Sequence, residues 1–229
     1  NYWRKEAGFV LDQVKVHTLN DDRSSQKNGY GIQMIGTCNA TLRNVHTAHL
    51  KKGILISGAN RNMNIADSYI WANTESGIEF DNTCKLHQIN ITCCHILFNR
   101  INIFLNDAEM YNIQIVGNDI EVDGTLTVRD QPTSKYCILA IANEHLIEDL
   151  TIVGNTIEDH WHCIDGMIKL QGKTTGHIVS VSIGANSTGN SPEHVIALGG
   201  CSGVEIRGQY KGSIKSVLKF IGDVDGVRM

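Results

Sequence analysis

The sequence predicts an all-β fold, a single-stranded parallel β-helix of about eight coils with three short sheets. Three observations predict it. A short unit, apolar–any–apolar, recurs from one end of the chain to the other at intervals of 22, 24, 25, 36, 29, 28 and 22 residues. A second unit of the same form follows each by about 10 to 15 residues. Helical periodicity is missing throughout, while β-branched residues alternate with polar ones.

The first unit reads Ile32-Gln33-Met34, Ile54-Leu55-Ile56, Ile78-Glu79-Phe80, Ile103-Phe104-Leu105, Leu139-Ala140-Ile141, Ile168-Lys169-Leu170, Ile196-Ala197-Leu198 and Leu218-Lys219-Phe220. The second reads Met63-Asn64-Ile65, Ile89-Asn90-Ile91, Ile113-Gln114-Ile115, Leu150-Thr151-Ile152, Val181-Ser182-Ile183 and Val204-Glu205-Ile206, with Val14-Lys15-Val16 as an earlier copy and Val227-Arg228-Met229 as a last one. Five residues beyond it, a third apolar position appears at Ile70, Ile96, Ile120 and Ile157. Period-2 alternation turns one side of each strand inward and the other outward. Three strands per repeat, with no helix, bring each repeat back above its own start. One coil cannot bury its inward residues alone; stacking at about 4.8 Å per coil closes the core and gives a rod roughly 40 Å long. Leucine-rich repeats, propeller blades and hexapeptide coils fit less well, because their consensus positions, four-stranded blades or strict six-residue beat are missing.

The bends repeat as well. Val116-Gly117-Asn118-Asp119-Ile120 and Val153-Gly154-Asn155-Thr156-Ile157 are near copies, and one bend position is filled in register by Ser68, Cys94, Asn118, Asn155 and Asn186. Asn accepts left-handed backbone geometry, and stacked amides can bond coil to coil, so these residues read as structural.

Composition narrows the function. A net charge of −4 without a basic stripe argues against electrostatic nucleic-acid binding. No apolar run is long enough for a membrane span, and no secretory leader is visible. The seven cysteines are odd in number and contain no CxxC pair, which points to buried free thiols and a reducing compartment rather than a disulfide framework or a zinc cluster. No metal site or cofactor is expected. The chain begins at Asn1 and its last strand-like triplet ends in mid-coil, so residues 1–229 read as one β-helix domain of a longer chain.

The segments Ile113–Ile120, Leu150–Ile157 and Ser76–Asn82 resemble the right-handed parallel β-helix repeats of the pectin-lyase-like superfamily, over about residues 9–229. That superfamily includes pectate lyases, polygalacturonases, uronan epimerases and bacteriophage tailspikes. The resemblance, the cysteine usage and the lack of a leader together imply a tailspike-type protein: a virion component assembled in bacterial cytoplasm as a homotrimer, with a bacterial surface polysaccharide as its partner. A secreted location is the alternative. No family signature transfers residue by residue. The chain lacks an Asp cluster with a stacked base, and Asn73-Thr74-Glu75 is its nearest approach to the Asn-Thr-Asp motif of polygalacturonases, with no matching Gly-His-Gly.

Chemistry is therefore sought from register. On the first sheet the outward residues are Gln33, Leu55, Glu79, Phe104, Ala140, Lys169, Ala197 and Lys219, a mostly apolar strip that reads as a contact between chains. The second sheet offers a polar ladder from Asn64 to Glu205. On the third, the outward positions are Trp71, Leu97, Glu121 and Glu158, then Asn73, Asn99, Asp123 and His160. Glu121 should stack beside Glu158, and Asp123 beside His160. Like charges one coil apart favour one carboxyl keeping its proton, which is the acid-plus-carboxylate arrangement of glycoside hydrolysis. The long excursion from Gly124 to Tyr136 adds Arg129, and the next coil adds Trp161. Glu121, Glu158 and Asp123 are the expected catalytic groups, and Trp71, Arg129, His160 and Trp161 the expected substrate holders. Glu75, Glu79 and Asp81, with Trp71 nearby, form the runner-up cluster. A non-catalytic carbohydrate-binding or adhesive trimeric shaft is the main rival reading, and a polysaccharide lyase or uronan epimerase the second.

Overall fold

A computed structural model describes residues 8–18, 29–122, 136–159, 167–189, 194–208 and 216–229. The chain winds through three parallel sheets in turn and returns one storey higher each time. Among the described residues the first sheet has eight strands, from Tyr30–Ile35 to Ser216–Phe220, the second has nine, from Phe9–Asp12 to Val224–Asp225, and the third has seven, from Lys15–His17 to Ser187–Gly189. Among the described residues each strand's neighbours in a sheet belong to the coils above and below, so the register aligns equivalent residues of successive repeats.

That register makes the core. Ile78 pairs with Ile54 and Ile103, Ile89 with Met63 and Ile113, and Ile96 with Ile70 and Ile120, all of them fully or almost fully buried. Three columns of aliphatic side chains meet inside the rod, each residue contributing on the order of 2 kcal/mol through area removed from water. Cys84, Cys94, Cys137 and Cys201 are buried among them as free thiols, and burial pushes Cys84 and Cys94 up to about 12.

The bends carry two ladders. At the corner between the second and third sheets, the Asn118 backbone N–H and Nδ2 both donate to Oδ1 of Asn155, at 2.9 and 3.0 Å, and Asn155 donates in the same way to Asn186. Coil-to-coil amide bonding is therefore as the repeat predicts. The left-handed residue, however, is the one before: Asp67, Cys93, Gly117, Gly154 and Ala185 have φ between 50° and 70°. The corner needs one left-handed residue to turn and one amide to pair the backbone it frees, and these are adjacent positions.

Three other expectations shift. The first-sheet unit of the fifth coil is Ile138-Leu139-Ala140, because Ile138 pairs with Ile103 and Ile168; Leu139 is outward and Ala140 is fully buried. The run Cys137–Ala142 holds no polar residue, so alternation alone leaves its phase open, and the polar-interrupted neighbours set it. Val14-Lys15-Val16 is not a second-sheet copy: Phe9–Asp12 occupies that sheet and Lys15–His17 opens the third. Asn73 and Asn99 are not outward but buried, because Ala72 and Phe98 adopt φ of 53° and 57° and reverse the alternation.

Those two residues form the second ladder, at the corner between the third and first sheets. Leu50 N–H donates to Asn73, Asn73 donates to Asn99 through N–H and Nδ2 at 2.9 and 2.8 Å, and Asn99 donates to Asn102 in the same manner. Gly53 and Gly77 leave the room for it. A Cβ on Gly77 would lie 2.8 Å from Asn99 Nδ2 and 2.6 Å from the Asn102 carbonyl.

Candidate functional site

The third sheet is a narrow wall of three- and four-residue strands whose middle residue points inward. Ile120 and Ile157 are fully buried register partners one storey apart. Their C-terminal neighbours Glu121 and Glu158 therefore lie side by side on the outer face, with backbones about 4.8 Å apart. The same outward row runs through Trp71 and Leu97 to Glu121 and Glu158. So three of the residues expected from sequence, Trp71, Glu121 and Glu158, share one row. Asp123, Arg129, His160 and Trp161 lie outside the described residues.

Both acids are anchored through their main chains. The Glu121 carbonyl accepts from Asn102 Nδ2 at 2.8 Å and from the Phe98 N–H at 2.9 Å. The Glu158 carbonyl accepts from Cys137 Sγ at 3.6 Å. Fixing the backbone this way leaves two or three side-chain torsions to set the carboxylate separation.

A second outward row on this wall runs through Lys15, His46, Tyr69, His95 and Asp119. It is aromatic and imidazole-rich at one end and acidic at the other. Trp71 Nε1 donates to His46 Nε2 at 2.7 Å, and His95 Nδ1 lies 3.3 Å from Asp119 Oδ2. Burial, then the charges of Lys15, His17 and His49, hold His46 below the usual imidazole value. Tyr69, His46 and His95 were not legible as site residues. The coil that holds His46 has Thr47 where the next four coils have Ile, which hides the third apolar position. Counting back 23 residues from Ile70 to Thr47 would have found it.

The runner-up cluster sits on a different wall. Glu75 and Glu79 line a pocket of about 320 Å³ on the first sheet with Lys52, Ser76, Arg100, Ile101, Phe104 and Asn106, whereas Trp71 belongs to the third sheet. Glu79 is 3% exposed and fully engaged: Lys52 Nζ lies 2.8 Å from Oε1, Ser76 Oγ donates to Oε2 at 2.7 Å, and Asn106 Nδ2 donates to Oε1 at 3.2 Å. Burial pushes the Asp81 carboxyl up, but hydrogen bonds from Ser57 and Thr83 outweigh it and hold the group below the usual carboxylate range. On the apolar strip expected here Leu55 is 4% exposed, and Leu139, which takes the outward place expected for Ala140, is 6% exposed. Among the described residues, no group of three His, Cys, Asp or Glu converges as metal ligands would, and no helix is long and apolar enough to cross a membrane.

The family model for a right handed beta helix region matches residues 2–157. The chain belongs to the right-handed β-helix family. Solved structures agree with that fold. A DFA-IIIase from Arthrobacter chlorophenolicus A6, determined without its lid, superposes on this β-helix with a TM-score of 0.59 at 10% identity, covering 87% of this chain and 47% of its own. The same enzyme in complex with GF2 gives 0.55 at 11% identity, covering 85% and 45%. The Streptococcus pneumoniae surface protein and adhesin PfbA gives 0.51 at 14% identity, covering 96% and 68%. The β-helix thus spans about half the length of the DFA-IIIase chains. No curated protein sequence matches it significantly. At such identities the likeness is one of fold.

Proposed function

We propose that this β-helix binds and degrades a bacterial surface polysaccharide, hydrolysing glycosidic bonds between Glu121 and Glu158. The observation that carries the proposal is their direct register pairing on an outward row shared with Trp71. One carboxyl would protonate the leaving oxygen, and the other would act as nucleophile or as base toward water. Asp123, as a third acid, and Arg129, His160 and Trp161, as substrate holders, complete this reading from the sequence. A phage tail location and a homotrimeric state belong to it as well, and the free thiols support assembly in a reducing cytoplasm. Two similar folds carry names that fit the two sides of the proposal, an enzyme solved with GF2 and an adhesin.

The test is a screen of capsular and O-antigen polysaccharides for release of reducing ends. Glu121→Gln and Glu158→Gln should each abolish release while leaving binding intact. A non-catalytic adhesive shaft, the second reading favoured by the adhesin-like fold, would bind and release nothing. A lyase would give unsaturated, ultraviolet-absorbing products. Loss of release on Glu79→Gln, with Glu121→Gln still active, would move the chemistry to the first-sheet pocket.

A further inference from the structure

We infer that Tyr69 and Trp71 form a stacking subsite for the pyranose rings of a glycan, two coils from Glu121, and that His46 is the positioning residue that orients the indole. This deepens the proposed function and rests on it for the ligand class.

The argument starts from placement. Tyr69 and Trp71 flank the inward Ile70, so both rings lie on the outer face and add nothing to the aliphatic core. Tyr69 is 37% exposed. The rings around them meet edge-on or tilted, never face to face. His46 meets Tyr69 at 77°, His49 meets Trp71 at 70°, Tyr69 meets Trp71 at 43°, and Tyr69 meets His95 at 49°. Such contacts hold the rings upright; an edge covers one face of a partner at most, and the Tyr69 ring keeps exposed surface.

The indole's one polar atom is already satisfied, because Nε1 donates to His46 at 2.7 Å. Trp71 can therefore present apolar ring surface to the C–H face of a sugar with no polar group of its own to desolvate. The block shares one register row with the acid pair: Trp71, Leu97, Glu121 and Glu158 are successive partners, with Leu97 7% exposed between them. Two coil rises, about 10 Å, separate Trp71 from Glu121, which suits a chain of sugars laid along the wall. Flanking imidazoles and the Tyr69 hydroxyl supply hydrogen-bonding groups at the ring edges.

His46 decides whether the indole holds this pose. It must accept at Nε2, so it acts as the neutral imidazole with its proton on Nδ1. Facing it are Lys15 and His17 from the neighbouring strand on one side, Tyr69 and Trp71 on the other, and His49 from its own turn. The titratable groups of the nearby first-sheet strands, Tyr30 and Lys52, belong to another wall. Protonation would turn the acceptor into a donor aimed at the indole N–H and add a charge beside Lys15. The indole would then lose its anchor.

The experiment uses the full chain with all three tryptophans in place and reads binding by isothermal titration calorimetry. Bacterial O-antigen and capsular polysaccharides are titrated in, and binding heat and reducing-end release are measured from neutral pH downward. Binding is expected to weaken as the pH falls below the ordinary imidazole value of about 6.5. Trp71→Ala and Tyr69→Ala should each weaken binding about tenfold or more. His46→Gln keeps an acceptor that does not titrate and should bind at neutral pH with the acid-side loss removed, whereas His46→Ala should bind weakly at every pH. A polysaccharide that is bound and cleaved equally by Trp71→Ala overturns the subsite and leaves the proposed function standing. Tight binding with the same pH profile in His46→Gln overturns the positioning role. If no polysaccharide is bound or cut, both the subsite and the proposed function fall.

Discussion

Asn102 and Glu121 are joined by a hydrogen bond of 2.8 Å from the side-chain amide of one to the main-chain carbonyl of the other. Asn102 is fully buried, and its Oδ1 also accepts both donors of Asn99. The ladder that shapes the corner between the third and first sheets thus ends on the strand that carries a candidate acid. Scaffold and site share one amide.

Asn102→Ala should therefore act on both. It strips a donor from the Glu121 carbonyl and an acceptor from Asn99, at a cost of about 3 kcal/mol for buried groups left unpaired. The denaturation midpoint is expected to fall with an unchanged slope, and polysaccharide cleavage should fall in kcat more than in KM.

Asn155 occupies the equivalent position in the other ladder, accepting twice from Asn118 and donating to the Ile115 carbonyl at 2.9 Å. Asn155→Ala should destabilise by about 3 kcal/mol, again read from the midpoint of chemical unfolding. Asn155→Asp should be worse than an isosteric change suggests, because the carboxylate keeps the acceptors but offers no donor to that carbonyl.

Lys52 and Glu79 form an ion pair in which the side chains are only 15% and 5% exposed. Lys52→Met leaves a buried carboxylate without its cation, and a loss of about 3–5 kcal/mol is expected. Adding Glu79→Leu should recover much of that loss, since the pair as a whole sets attraction against desolvation. A double-mutant cycle on unfolding free energies checks it.

Asp107 offers a pH test. Burial raises its pKa, but N–H donors from Glu144, Asn143 and His145 on the next coil outweigh burial and hold the carboxyl below its usual value of 3.8. A carboxylate lowered on folding contributes stability above its unfolded pKa, and that contribution is lost as pH falls through the folded one. Unfolding curves between neutrality and strongly acid pH should show the wild type losing more stability than Asp107→Asn over this acid range.

How much of this was legible in the chain is clear from particular residues. Ile120 and Ile157 could be placed inside, one storey apart, because two near-identical bend segments take equivalent places in successive coils whatever the length of the loop between them. Glu121 and Glu158 followed as neighbours. By contrast, the phase of Cys137–Ala142 was invisible, since an unbroken apolar run satisfies either register and only pairing with Ile103 and Ile168 chooses. Asn73 and Asn99 looked outward by counting in twos, but a left-handed residue before each turns it into the core.

The contacts that build the first-sheet pocket and the third-sheet aromatic block were beyond reach for the same reason. Glu79 meets Lys52 from 27 residues away, and Trp71 meets His46 from 25. Periodicity alone was enough for the wrap, because burial of one face is a local demand repeated along the chain. Which side chains meet across coils depends on loop lengths and backbone signs that no residue carries by itself, so only the folded rod decides it.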